Sequence, residues 1–136
     1  MKKIPVLQLV KHKILILFFL ISQVSISQEL YKSPITQHFP SGELERINRT
    51  IQFTKDTVFI NSETPFGLQI KNYVINEYSV HTFPVNGLSE FYVCSSLDNI
   101  YTTYFQIPIL EKVVFIEVVE PMQYYRSLNR YRLLID

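Results

Sequence analysis

Between Lys112 and Pro121 the chain runs Val113-Val114-Phe115-Ile116-Glu117-Val118-Val119, apolar everywhere but at one carboxylate. Side chains of an extended strand alternate between two faces, so a run that is apolar at both parities must be covered on both sides. A short run of this kind, bounded by turn signals, reads as a buried strand. The rest of the chain is expected to pair with it or pack against it.

Upstream, apolar and polar residues alternate in short stretches. Ile47, Arg49, Ile51 and Phe53 fall on one face of an extended segment, and Asn48, Thr50 and Gln52 on the other. Lys55-Asp56 leads into residues 57–61 at a spacing that predicts an antiparallel hairpin. A polar break over 61–65 precedes Phe66, Leu68 and Ile70, which alternate with Gly67, Gln69 and Lys71. Residues 73–83 continue with β-formers, where Asn72, Asn76 and Glu77 predict a turn or bulge. Asn86-Gly87 marks a tight turn.

Residues 91–95 and 100–107 flank the turn 96–99 as a second hairpin, and 108–112 reverse the chain into the apolar run. Pro121 ends that run, residues 122–127 have room for one helical turn, and 128–135 make a last strand. Residues 28–42, with Pro34, Pro40, Gly42 and no sustained period, are expected to form an irregular lead-in. About seven short strands without a long amphipathic helix predict one all-β domain over 43–136. Its expected architecture is an antiparallel meander forming a small open or closed barrel, with a two-sheet β-sandwich as the alternative. Short connections favour the barrel, because a Greek-key sandwich needs long crossings.

Residues 1–27 carry Lys2, Lys3, Lys11 and Lys13, then the apolar run 14–21, then Ser25-Ile26-Ser27 as a small-x-small exit. Those are the three parts of a secretory signal peptide. A membrane anchor is the competing reading, but Ser22 and Gln23 interrupt the apolar run short of the ~20 residues that cross a bilayer. The exit has no cysteine for lipid attachment, so the mature protein is expected to be periplasmic or secreted, with no membrane span after cleavage. Four of the 13 basic side chains leave with the leader, and the remaining nine face 12 acidic ones, a formal charge of −3 in place of +1. That balance lacks the basic surplus that a phosphate backbone requires, which sets nucleic acid aside. Cys94 is the single cysteine, so no intrachain disulfide forms and packing must carry the fold.

A thiol nucleophile needs a base within hydrogen-bond reach, and nothing in the spacing of Cys94 and His81 brings the two together. Cys94, between Val93 and Ser95, is expected to fill core space. His38 and His81 have no metal-ligand spacing to other donors, so no metal or cofactor is expected. Glu117 and Glu120, three apart on a strand, point to opposite faces and cannot work as paired acid and base. Glu117 is expected to pair with an arginine at the surface. The expectation is therefore a protein that is not an enzyme.

Two groups of residues remain as binding candidates. One is the barrel interior, expected to be lined by Phe91, Val93, Tyr104, Phe105 and Phe115. The other is the aromatic and basic cluster Tyr124, Arg126, Arg130 and Arg132 with Tyr125 and Tyr131, suited to stacking on a ligand or holding an anion. Its competing reading is a solvated strand edge whose tyrosines shield the core. Two short acceptor patterns are also present. Asn48-Arg49-Thr50 matches the N-glycosylation sequon, and Asp56-Thr57-Val58 resembles an acceptor for periplasmic O-glycosylation.

Over residues 51–134 the series of short strands resembles small secreted lipocalin-like (calycin-type) bacterial proteins of unknown function. Tyr92-Val93-Cys94 before a polar turn and Tyr131-Arg132-Leu133 near the end carry that resemblance, which implies a barrel and carriage of a small ligand. Three functions are then in view. The first is an exported, non-enzymatic barrel that binds a small apolar molecule or an envelope partner. The second is an interaction protein, such as an inhibitor or assembly subunit, working through an exposed sheet edge. The third is a hydrolase. A pocket enclosed by the strands would favour the first, and a filled interior with an unpaired edge the second.

Overall fold

The chain doubles back seven times through strands whose inward side chains are apolar over most of their length. A computed structural model describes residues 29–97, 101–121 and 128–136. Its strands are β1 (Glu29–Phe39), β2 (Leu44–Phe53), β3 (Thr57–Thr64), β4 (Gly67–Phe83), β5 (Gly87–Ser96), β6 (Thr102–Pro108), β7 (Phe115–Pro121) and β8 (Leu128–Leu134). Each runs antiparallel to the next, and β8 pairs with β1, so the meander closes into a barrel. The sandwich alternative falls away.

Eight strands stand where about seven were expected, because β1 occupies the stretch read as an irregular lead-in. Pro34 hid it. It sits at a register shift between Ser33 and Ile35, where the ladder does not require its missing N–H. The inward positions of β1 also include Ser33 and Thr36, both buried, so no hydrophobic period appears in the sequence. β3 likewise runs on to Thr64 through the expected polar break. The bulge expected near Asn76 is present, as a register shift between Ile75 and Glu77. The helical turn expected over 122–127 lies outside the described residues.

The long apolar run forms β7, beginning at Phe115 rather than Val113, and it is one wall among eight rather than a centre. Ile116 and Val118 face the core and are fully buried. Its other parity is covered from outside, as the next subsection describes. The lumen is filled by Ile51, Val58, Ile107, Leu133 and their neighbours around Phe105, which has no exposed surface. The Phe105 ring meets Phe53 at 5.9 Å and Tyr73 at 5.2 Å, both edge to face, the arrangement that aromatic quadrupoles favour.

Cys94 fills core space as expected, and burial pushes its thiol from 9.0 up to about 12. Burial also raises the Tyr73 and Tyr131 phenols above their ordinary 10.0. Above pH 9.0 the unfolded chain releases protons that the folded chain retains, so stability is lost as pH climbs toward about 12. Urea midpoints are expected to fall steadily across that window, and Cys94 to react with a thiol reagent at neutral pH only as fast as the protein opens. A midpoint that stays flat above pH 9.0 would contradict this burial.

Candidate functional site

Of the five residues expected to line the lumen, only Phe105 does so, which corrects the sequence reading for the other four. On β5, Cys94 and Tyr92 take the inward parity, which sends Phe91 and Val93 outward. On β6 the inward parity belongs to Thr103, Phe105 and Ile107, so Tyr104 points out. On β7, Ile116 and Val118 turn in and Phe115 out. These strands carry apolar side chains at both parities, so alternation alone does not tell which face is the core. Tyr124 and Arg126 lie outside the described residues.

On the outer wall the displaced aromatics still come together. The Phe91 and Tyr104 rings stack at 5.6 Å and 9°, Phe83 packs on Phe91 at 5.5 Å, and His81 lies 6.2 Å from both phenylalanines. His81 is thus outside the wall and Cys94 inside it, so the two cannot act as base and nucleophile.

Beside this ladder, Arg130 and Arg132 converge on Glu117, whose carboxylate is only 6% exposed. Arg130 Nε lies 2.7 Å from Glu117 Oε1, and Arg132 Nε 3.4 Å from the same oxygen. Asn86, from the turn between β4 and β5, donates to Glu117 Oε2 at 2.6 Å and accepts from Arg132 at 3.4 Å. The Arg132 guanidinium lies 4.3 Å from the Phe115 ring centre and 5.1 Å from that of Phe39, and Arg130 lies 4.4 Å from Phe39. Glu117 does pair with arginine, but as a buried clamp that pins the β4–β5 turn to the wall. Glu120 points to the opposite face, as the strand spacing required.

β4 is the longest strand, and only its first half belongs to the barrel wall. β3 pairs with it from Gly67 to Val74, and the Ile75 amide donates to Asp56 at 2.8 Å. From Glu77 to Phe83 the ladder continues with β5 alone. The other edge of this arm has no strand beside it among the described residues. Tyr78 and Val80 on the arm are about half exposed. Residues 76–83 contain no proline and no lysine, the residues that usually blunt an open edge.

A polar site that the sequence reading missed occupies the loop-bearing end of the lumen nearest Pro40. Arg49 points inward there, donating from Nε to Ser62 Oγ at 2.9 Å and from Nη1 to Thr36 Oγ1, with Nη2 3.3 Å from Glu45. His38 Nε2 lies 3.5 Å from the same Glu45 oxygen. These groups border a cavity of about 160 Å³ whose wall also includes Lys71, Glu120, Asn129 and Tyr131. The signal was in the sequence. Arg49 shares its parity with Ile47, Ile51 and Phe53, and a cation on an otherwise apolar face marks a place where the core turns polar.

Fold and sites together define an eight-stranded antiparallel meander barrel with a filled lumen, a protruding two-stranded arm and a polar interior end. Compared with known proteins, the chain matches no protein-family model, no curated protein and no solved structure.

Proposed function

We propose that this is an exported, non-enzymatic interaction protein that binds an extended segment of a partner protein along the open edge of β4. The observation that carries the reading is the arm itself: residues 77–83 hold a ladder on one side only, with exposed Tyr78 and Val80 and no blunting residue. Main-chain groups of an open edge supply affinity for an added strand, and side chains at alternate positions supply selectivity. The clamp of Glu117, Arg130, Arg132 and Asn86 fixes the base of the arm, so its edge is presented without a large ordering cost.

The filled lumen supports this reading over carriage of an apolar ligand. Sites for drug-sized ligands enclose roughly 300–1,000 Å³ and are mostly apolar. The interior cavity here is about 160 Å³ and polar. Export rests on the three-part leader of residues 1–27.

The test is site-specific photocross-linking in the producing cell, with the probe at Ser79 and, as a control, at exposed Leu44 on β2. A discrete adduct from position 79 and none from 44 is expected. The double variant Tyr78→Lys, Val80→Lys should abolish it without lowering the melting temperature, since both side chains are exposed. Equal labelling from the two positions, or an adduct that survives the double variant, would refute the reading. An adduct with the mass of two chains would replace a foreign partner by a second copy.

A further inference from the structure

We infer that the polar end of the lumen is a binding site for a small zwitterion of the α-amino-acid type, independent of the β4 edge. The inward faces of β1, β2, β3, β4, β7 and β8 change there from aliphatic to polar, and the cavity they leave is lined by both signs of charge. Arg49 uses three of its five N–H groups on Ser62, Thr36 and Glu45, which leaves two for a ligand. Lys71, on the same cavity wall, has no carboxylate within 4.0 Å among the described residues. Together they offer a carboxylate its two customary partners, a guanidinium fork and a point charge.

The other wall has the complementary chemistry. Glu120 accepts from Asn129 Nδ2 at 3.4 Å and from the Tyr73 phenol, both neutral donors, so its negative charge is oriented but not cancelled. Each carboxylate oxygen has two lone pairs, and those left over suit an ammonium. β2, which carries Arg49, and β7, which carries Glu120, are three strands apart round the barrel, so the two charges face one another across the lumen. The Tyr131 phenol lies within electrostatic reach of both.

Charge and size then narrow the ligand. Arg49 and Lys71 are balanced by Glu45 and Glu120, so the empty site is neutral with His38 uncharged, and a ligand of zero net charge keeps it so. A monoanion or a simple amine would leave one charge uncompensated in a partly desolvated place. A cavity of about 150 Å³ admits benzene, so about 160 Å³ here holds a molecule of roughly six non-hydrogen atoms. Glycine and alanine meet both limits.

Isothermal titration of the purified protein with glycine, L-alanine, propionate, ethylamine, L-phenylalanine and inorganic phosphate tests this. Saturable binding of glycine or alanine is expected, with propionate and ethylamine about tenfold weaker or worse and no binding of phenylalanine. Lys71→Met, at an exposed position, should weaken alanine about tenfold, and Glu120→Gln should erase the preference for alanine over propionate. The Tyr78→Lys, Val80→Lys variant should bind alanine as the parent does, which separates this site from the arm. No saturable binding by any of the six, propionate or phosphate binding as well as alanine, or an unchanged affinity in Lys71→Met would each overturn the assignment.

Discussion

Replacing Phe105 with alanine is expected to remove about 3 to 5 kcal/mol of stability, the range for deleting a buried aromatic side chain whose surroundings cannot collapse. The site meets that condition. Phe105 is fully buried between the Phe53 and Tyr73 rings, and the walls around it are held by ladders on both sides. A domain of this size has only about 5 to 15 kcal/mol to lose, so a large unfolded fraction at room temperature is expected. Phe66→Ala is the matched control, because that ring is 100% exposed, and it should shift stability by no more than about 0.5 kcal/mol. Urea titration followed by circular dichroism reads both. A Phe105→Ala protein within about 1 kcal/mol of the parent would mean a loosely filled lumen. That result would reopen the reading of an apolar-ligand carrier.

The second large effect is expected at Glu117→Ala, which should cost about 3 kcal/mol. Removing one member of a buried ion pair leaves the others desolvated without compensation, and Arg132 is only 20% exposed on its side chain. Arg130, 46% exposed, can turn to water, which places the estimate at the lower end of the usual range. Asn86 also loses its acceptor, so the β4–β5 turn should come away from the wall. Amide exchange of residues 84–88 is the local readout, and it should quicken by more than the global change alone explains. A stability loss below about 1 kcal/mol with unchanged exchange would show that the carboxylate is a bystander.

Much of the fold was legible in the sequence because strand signals are local. The hairpins around Asp56, around Asn86-Gly87 and before Thr102 announced themselves by turn residues between runs of β-formers, and the bulge by Asn76 and Glu77. β1 was not legible, since its inward groups are partly hydroxyls and its proline sits where the ladder tolerates one. Its existence is decided by β8 and β2, which lie far away in sequence and need a partner.

The candidate residues show the same division. Phe91, Tyr104, Phe115, Arg130 and Arg132 do gather, but on the outer wall, because a strand apolar at both parities does not say which side is in. The residue that best marked the interior was Arg49, whose charge stands out only against Ile47, Ile51 and Phe53 on its own face. What makes the β4 arm notable, the end of its β3 partner at Thr57, is a property of the neighbour rather than of β4 itself.

The seam that seals the wall joins the first strand to the last, with His38 opposite Tyr131 and Phe39 opposite Arg130. No stretch that emerges early from the ribosome can finish the cylinder, because its closing edge is made last. A nascent chain built this way is slow to commit to its native shape. Such a delay suits a polypeptide that must be threaded through a translocation channel before it folds.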